Sequence, residues 1–96
     1  MTGYTLTPQA QEDLDKIWDD GALQWGVDHA SGYARDIKGS VEFLAQYPSA
    51  GSDADHIRPG YRKHVVRSHI IFYRLSASAI EIVRILHKRM DPDSHL

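Results

Sequence analysis

Residues 61–87 read YRKHVVRSHIIFYRLSASAIEIVRILH, and along this stretch apolar side chains recur with a period of two. Tyr61–Arg67, His69–Leu75 and Ile80–His87 are rich in β-branched and aromatic residues and are separated by short serine-containing turns, which predicts an antiparallel meander. A strand with one wet face should alternate apolar with polar residues. Here both sets are apolar: Ile71, Tyr73 and Leu75 against Ile70 and Phe72, then Ile80, Ile82 and Leu86 against Val83 and Ile85. Both sides of the sheet therefore need cover. One helical hairpin can supply it for one side. For the other, the expectation is a docking surface for a second polypeptide, the alternative being cover by the chain's own long loop and C-terminal tail.

Upstream, the period changes to that of a helix. Tyr4-Thr5-Leu6 is a short strand candidate that stops at Thr7-Pro8. Thr7 suits a helix N-cap, and Pro8 suits the first helical position, where its missing N–H costs nothing. Ala10, Leu14, Ile17, Trp18, Ala22 and Trp25 follow at three-and-four spacing, which predicts a helix over 8–26. Asp28 reads as a second cap. Ala30, Tyr33, Ala34, Ile37, Val41, Leu44 and Ala45 then continue the pattern to Tyr47-Pro48. So short a joint implies an antiparallel helical hairpin, with Trp18 and Trp25 in the core or in its seam. Residues 48–60 read as the one long loop. The order is β-α-α-β-β-β: an α+β fold with the hairpin on one side of an antiparallel sheet, as a single domain over 1–96.

Composition narrows the function. The 96 residues contain no cysteine, which removes disulfide scaffolds, thiolate catalysis and cysteine-ligated metals and fits a reducing cytosol. The first residues, Met1 to Leu6, lack the basic and apolar run of a leader, and no apolar stretch approaches the length of a membrane span. Residues 1–57 carry ten acidic side chains against three basic ones, and residues 58–96 carry three against eight. The basic half could meet an acidic segment or nucleic acid, or the halves could neutralise each other across one surface.

Catalytic patterns are thin. Six histidines are present, but none forms an HExxH or HxH pair, and zinc needs three or four convergent ligands. No G-x-S-x-G elbow and no glycine-rich phosphate loop occurs, so neither metal nor cofactor is expected. Metal-free RNA cleavage is the serious catalytic alternative: His64 or His87 with Arg62, Arg84 and Arg89 could supply acid, base and phosphate contacts.

Several segments together resemble the ParE branch of the RelE/ParE toxin superfamily. They are Leu6-Thr7-Pro8 with Ala10 and Asp13-Leu14, Trp25-Gly26, Ile57 to Arg62, His69 to Arg74, and Ile82 to Asp91. The resemblance spans nearly the whole chain and implies the β-α-α-β-β-β fold read above from periodicity. It implies a toxin of a two-gene toxin–antitoxin module that inhibits DNA gyrase, meets DNA only indirectly, touches no membrane, and is bound by a ParD-type antitoxin. A partner segment that orders itself on binding would need a large apolar surface to offset its ordering entropy. The related RelE branch cleaves messenger RNA. Its strand arginine aligns with Ile70 here, its terminal tyrosine falls near His95, and its tail arginine matches Arg89. An isoleucine cannot hold a phosphate, so the RelE-type site is incomplete; Arg62, His87 and Arg89 are the residues an RNA-cleaving reading would use. For the antitoxin the expected contacts are Arg58, Tyr61, Arg62, Phe72, Arg74 and Glu81. For the target they are His87, Lys88, Arg89, Met90 and Asp91, where the chain leaves the sheet with exposed basic groups.

Overall fold

The computed structural model describes residues 3–96; Met1 and Thr2, part of the stretch where no leader is expected, lie outside the described residues. The chain runs β1 (Gly3–Leu6), α1 (Pro8–Trp25), α2 (Val27–Gln46), a 3-10 turn at Pro48–Ala50, β2 (Ser52–Asp53), β3 (Tyr61–Val66), β4 (His69–Ser76), β5 (Ala79–His87) and a last helical turn, α3 (Pro92–His95). The predicted order holds, with β2 and α3 added. The sheet order is β1-β5-β4-β3-β2, with β1 parallel to β5 and the other neighbours antiparallel.

Thr7 fastens strand to helix. Its hydroxyl accepts the Ala10 N–H at 3.1 Å, as an N-cap should, and donates to the Val83 carbonyl at 2.7 Å. The joint between the helices is a single residue, Gly26, at φ +96°. That conformation is disfavoured for a side-chain-bearing residue, which is why the turn needs no longer loop. Asp28 is not the cap predicted for it: α2 starts at Val27 with no side-chain cap, and Asp28 lies in its first turn, where negative charge suits the helix dipole. Gly21 faces Ala30 across the hairpin; a Cβ there would lie 3.5 Å from Ala30 Cβ, an ordinary packing distance.

The hairpin packs Ala10, Ile37, Val41, Leu44 and Ala45 onto Val66, Ile71, Tyr73, Ile80, Ile82 and Ile85. This set corrects the predicted grouping in β5. Phe72 pairs with Arg84 and Tyr73 with Ile82, so Val83 is an extra residue in β5, a β-bulge. The bulge shifts the alternation by one. Ile80, Ile82 and Ile85 share the helix side, and Leu86 falls on the opposite one.

Residues 48–60 are more ordered than a loop. Tyr73, buried at the centre of β4, accepts the Gly51 N–H through its hydroxyl at 3.0 Å and donates to the Pro48 carbonyl at 2.7 Å. A Cβ on Gly51 would lie 2.3 Å from that hydroxyl and 2.8 Å from the Lys63 carbonyl. Gly51→Ala is therefore expected to cost about 1–3 kcal/mol, as overpacking does. Chemical denaturation would show it, and an unchanged midpoint would mean that the close approach is not required.

Candidate functional site

The strand register sorts the expected contacts by side. Away from the helices lie three cross-strand rows: Tyr61, Arg74 and Glu81; Lys63, Phe72 and Arg84; Val65, Ile70 and Leu86. This side is not left open. Phe72 and Leu86 are each only 1% exposed, although neither belongs to the core beneath the hairpin. Arg84, on β5, donates to the His95 carbonyl at 2.9 Å, and Arg58, ahead of β3, donates to the carbonyl of Leu96. β4 lies between β3 and β5, and the hairpin fills its other side. A tail fastened at both flanks thus crosses the side where Phe72 sits. The alternative weighed in the sequence, cover by the chain's own tail, is the one found at the centre of this side, and the expectation of a bare docking face is corrected there. Apolar surface remains open at its margin, where Val65 is 52% exposed.

Among the six residues expected to meet the antitoxin, Tyr61, Arg74 and Glu81 form one accessible row. Arg74 Nε bonds Glu81 Oε1 at 2.7 Å. Phe72 lies underneath the tail and Arg58 holds the tail's end. Arg62 points the other way. It pairs with Tyr73 on the helix side and donates to the Ser49 carbonyl at 3.0 Å and to the Gly51 carbonyl, while its Nε is buried with no acceptor. Its role is to hold the 48–51 segment against the sheet, which departs from both roles expected for it. Trp25 also departs from the core or hairpin-seam position predicted for it, at 65% exposed.

The β5 end gathers the other group. Asp13 of α1 receives Arg84 through both oxygens, at 2.7 and 2.8 Å, and accepts the Ile85 N–H at 3.0 Å on the β5 edge beyond the reach of β1. The carboxylate bonds hold the Arg84 guanidinium pKa above its ordinary value, against the opposing effect of burial. His87 pairs across strands with His69, their rings edge to face at 5.1 Å. Beyond His87 the chain turns: His87 Nδ1 accepts the Arg89 N–H at 3.1 Å, and the Lys88 N–H reaches the Ser68 carbonyl at 2.9 Å. Lys88, Arg89, Met90 and Asp91 are all exposed. The residues expected to meet the target, 87–91, thus lie consecutively where the chain leaves the sheet, while Asp13, Arg58 as a tail anchor, and Arg84 as the joint between helix, strand and tail were not foreseen.

His69 is the titrating feature of this end. Tyr33 Oη accepts the Ser68 N–H and shares a 2.6 Å hydrogen bond with His69 Nδ1, the direction of which depends on the tautomer of the ring. Burial, then the neighbouring His87, lowers its pKa from 6.5 to about 4, against a small upward pull from Asp13. Above about pH 6.5 the ring is neutral in both folded and unfolded chains. As pH falls from there towards 4 the unfolded chain takes up a proton that the folded chain refuses, so stability is lost over that window. The thermal midpoint is expected to fall between pH 6.5 and 5 with a slope that His69→Gln flattens; equal slopes in the two proteins would contradict the buried neutral ring.

Among the described residues no helix is long and apolar enough to cross a membrane, and no group of three His, Asp or Glu side chains could hold a metal. Residues 4–92 match the family model described as the ParE toxin of the type II toxin–antitoxin system parDE. The chain belongs to the ParE toxin family. The toxin is 45% identical over 94 residues to Toxin ParE1 of Mycobacterium tuberculosis, covering 97% of this chain and 96% of that one. It is 38% identical to Toxin ParE1 of Caulobacter vibrioides over 96 residues, 100% of this chain and 99% of that one. A solved structure titled a chromosomal ParDE toxin–antitoxin system from P. aeruginosa superposes with a TM-score of 0.80 at 27% identity, over 91% of this chain and 96% of that one. The helices-on-sheet fold is thus the fold of that system's matching chain.

Proposed function

We propose that this toxin works by binding DNA gyrase without catalysis and is neutralised by a ParD-type antitoxin. The observation that carries the non-catalytic reading is the position of Arg62 relative to His87. Arg62 is level with Tyr73 and His87 with His69, four residues further along β4 and two strands across, which separates their backbones by about 16 Å. A phosphate held by Arg62 would lie beyond the reach of His87 as acid or base, and the Arg62 guanidinium already holds the 48–51 segment. The tail from His87 to Asp91 offers instead a basic, exposed, well-anchored surface suited to a macromolecular target.

For the antitoxin, the Tyr61, Arg74 and Glu81 row together with open Val65 forms the accessible part of the far side. Reaching Phe72 and Arg58 as well would require the antitoxin to take the place of the tail. The test is a supercoiling assay with purified toxin and DNA gyrase. Blocked supercoiling or trapped cleaved DNA, relieved by the antitoxin, is the expected result. No effect at stoichiometric excess overturns the gyrase reading, and cleaved messenger RNA in intoxicated cells that disappears with His87→Ala would replace it by ribonuclease action.

A further inference from the structure

The two most exposed large apolar side chains in the described structure stand at the tip of the helical hairpin, at the opposite end of the sequence from the tail. Leu23 is 90% exposed and Trp25 65%, with Val27 at 58% beside them across Gly26. Three exposed apolar residues around a one-residue turn are a surface feature in need of a reason, and of the three Trp25 is the one that lines a cleft. Acidic residues surround them: Asp19, Asp20 and Asp28 are exposed.

The tip is connected to the tail in space. A chain of ring contacts runs from one to the other: Trp25 to His29 at 5.8 Å, His29 to Tyr33 at 6.4 Å, Tyr33 to His69 at 5.4 Å and His69 to His87 at 5.1 Å. These rings lie along an open cleft of about 750 Å³ that has Trp25 at one end and Arg89 and Met90 at the other. Its walls differ in charge. The α1 wall bears Glu12 and Asp20 with Lys16 between them, Asp13 being taken by Arg84, and the tail end bears Arg89 and His87. Nucleic acid is a poor occupant for the acidic wall and tip. A polypeptide with one apolar and one basic side chain in reach is a good one.

We propose that the target-binding surface of this toxin extends from the tail through this cleft to the hairpin tip, and that it holds a segment of DNA gyrase with an apolar side chain against Trp25 and a basic group against the α1 carboxylates. The inference rests on the gyrase reading above and adds to it a second, distant anchor. Exposed aromatic side chains of this kind dominate binding energy where they are covered. They carry little folding energy here, because water already reaches them.

The experiment uses the full chain with Trp25→Ser, and separately with Asp20→Lys. Gyrase supercoiling inhibition, antitoxin affinity and sedimentation are measured on each, with the thermal midpoint as the folding control. The expected result is that about tenfold more of either variant is needed to inhibit gyrase, while antitoxin affinity changes less than about twofold. Inhibition equal to that of the unaltered toxin overturns the inference. So does unaltered inhibition accompanied by weakened antitoxin binding, which would give the tip to the antitoxin, or by lost self-association, which would give it to a second copy. If the unaltered toxin itself leaves gyrase untouched, the functional reading fails first and this inference with it, an outcome the comparison of variants keeps distinct.

Discussion

Asp13→Ala is expected to lower the thermal midpoint by more than about 10 °C. Three bonds end on that one carboxylate: two from Arg84 and one from the Ile85 N–H. Both partners are largely removed from water, Arg84 with 18% of its side chain exposed and Asp13 with 14%. Breaking such a pair strands the surviving charge and costs about 3 kcal/mol or more. In a domain of this length each kcal/mol moves the midpoint by about 4–8 °C. Surface pairs are a different matter. Arg67 and Asp36 meet at 2.6 Å with roughly half of each side chain in water, and removing them should change little. The test has a second part. Asp13→Ala with Arg84→Met removes both charges at once and should recover a large share of the loss, because the cost lies in the unpaired arginine more than in the pair itself. A fall of less than about 3 °C in the single variant, or no recovery in the double, would mean that the helix is held to β5 by apolar packing alone.

Asp13 also shows where sequence reading stops. It lies in the second turn of α1, beyond the first turn where the helix dipole would account for it, and nothing local says that its partner lies 71 residues away. The elements themselves were legible because each is written in short-range terms: Thr7 and Pro8 for the start of α1, three-and-four spacing for both helices, alternation for β3 and β4. What escaped is whatever depends on register between segments. The extra residue at Val83 is invisible to a period count, since both phases of β5 are apolar, and it decides that Ile85 rather than Leu86 joins the core. The direction of Arg62 follows from its pairing with Tyr73, and the burial of Phe72 follows from a tail that returns across the sheet. The tail residues are polar and short, so no pattern announced the return. Of the candidate site, the exposed residues after His87 were readable as a basic run leaving a strand. The connection from that run to the hairpin tip was not, because it passes through Tyr33 and His69, which sequence alone reads as ordinary packing.

Removing residues 88–96 is expected to abolish toxicity, and the structure makes that prediction sharper than the basic charge of the segment does. The truncated chain loses Lys88, Arg89, Met90 and Asp91, the exposed groups at the mouth of the cleft. It also loses the strap held by Arg58 and Arg84, which uncovers Phe72 and Leu86. Exposing two large apolar side chains costs about 1.5–3 kcal/mol each, a heavy loss for a domain whose whole stability is about 5–15 kcal/mol. Loss of toxicity alone would therefore be equally consistent with a chain that no longer folds. Antitoxin binding separates the two causes. If the truncated protein still folds, the antitoxin should bind it at least as tightly, since Phe72 and Arg58 become available without any tail to displace. Lys88→Ala with Arg89→Ala supplies the complementary variant: both side chains are exposed, both tail anchors stay in place, and the midpoint should hold within about 2 °C. That variant should lose most of its toxicity while binding the antitoxin as before. Full toxicity in the double variant would remove the tail's basic groups from the mechanism. Weaker antitoxin binding by a folded truncated chain would mean that the antitoxin grips the tail itself, and that the strap is part of the docking surface and not its cover.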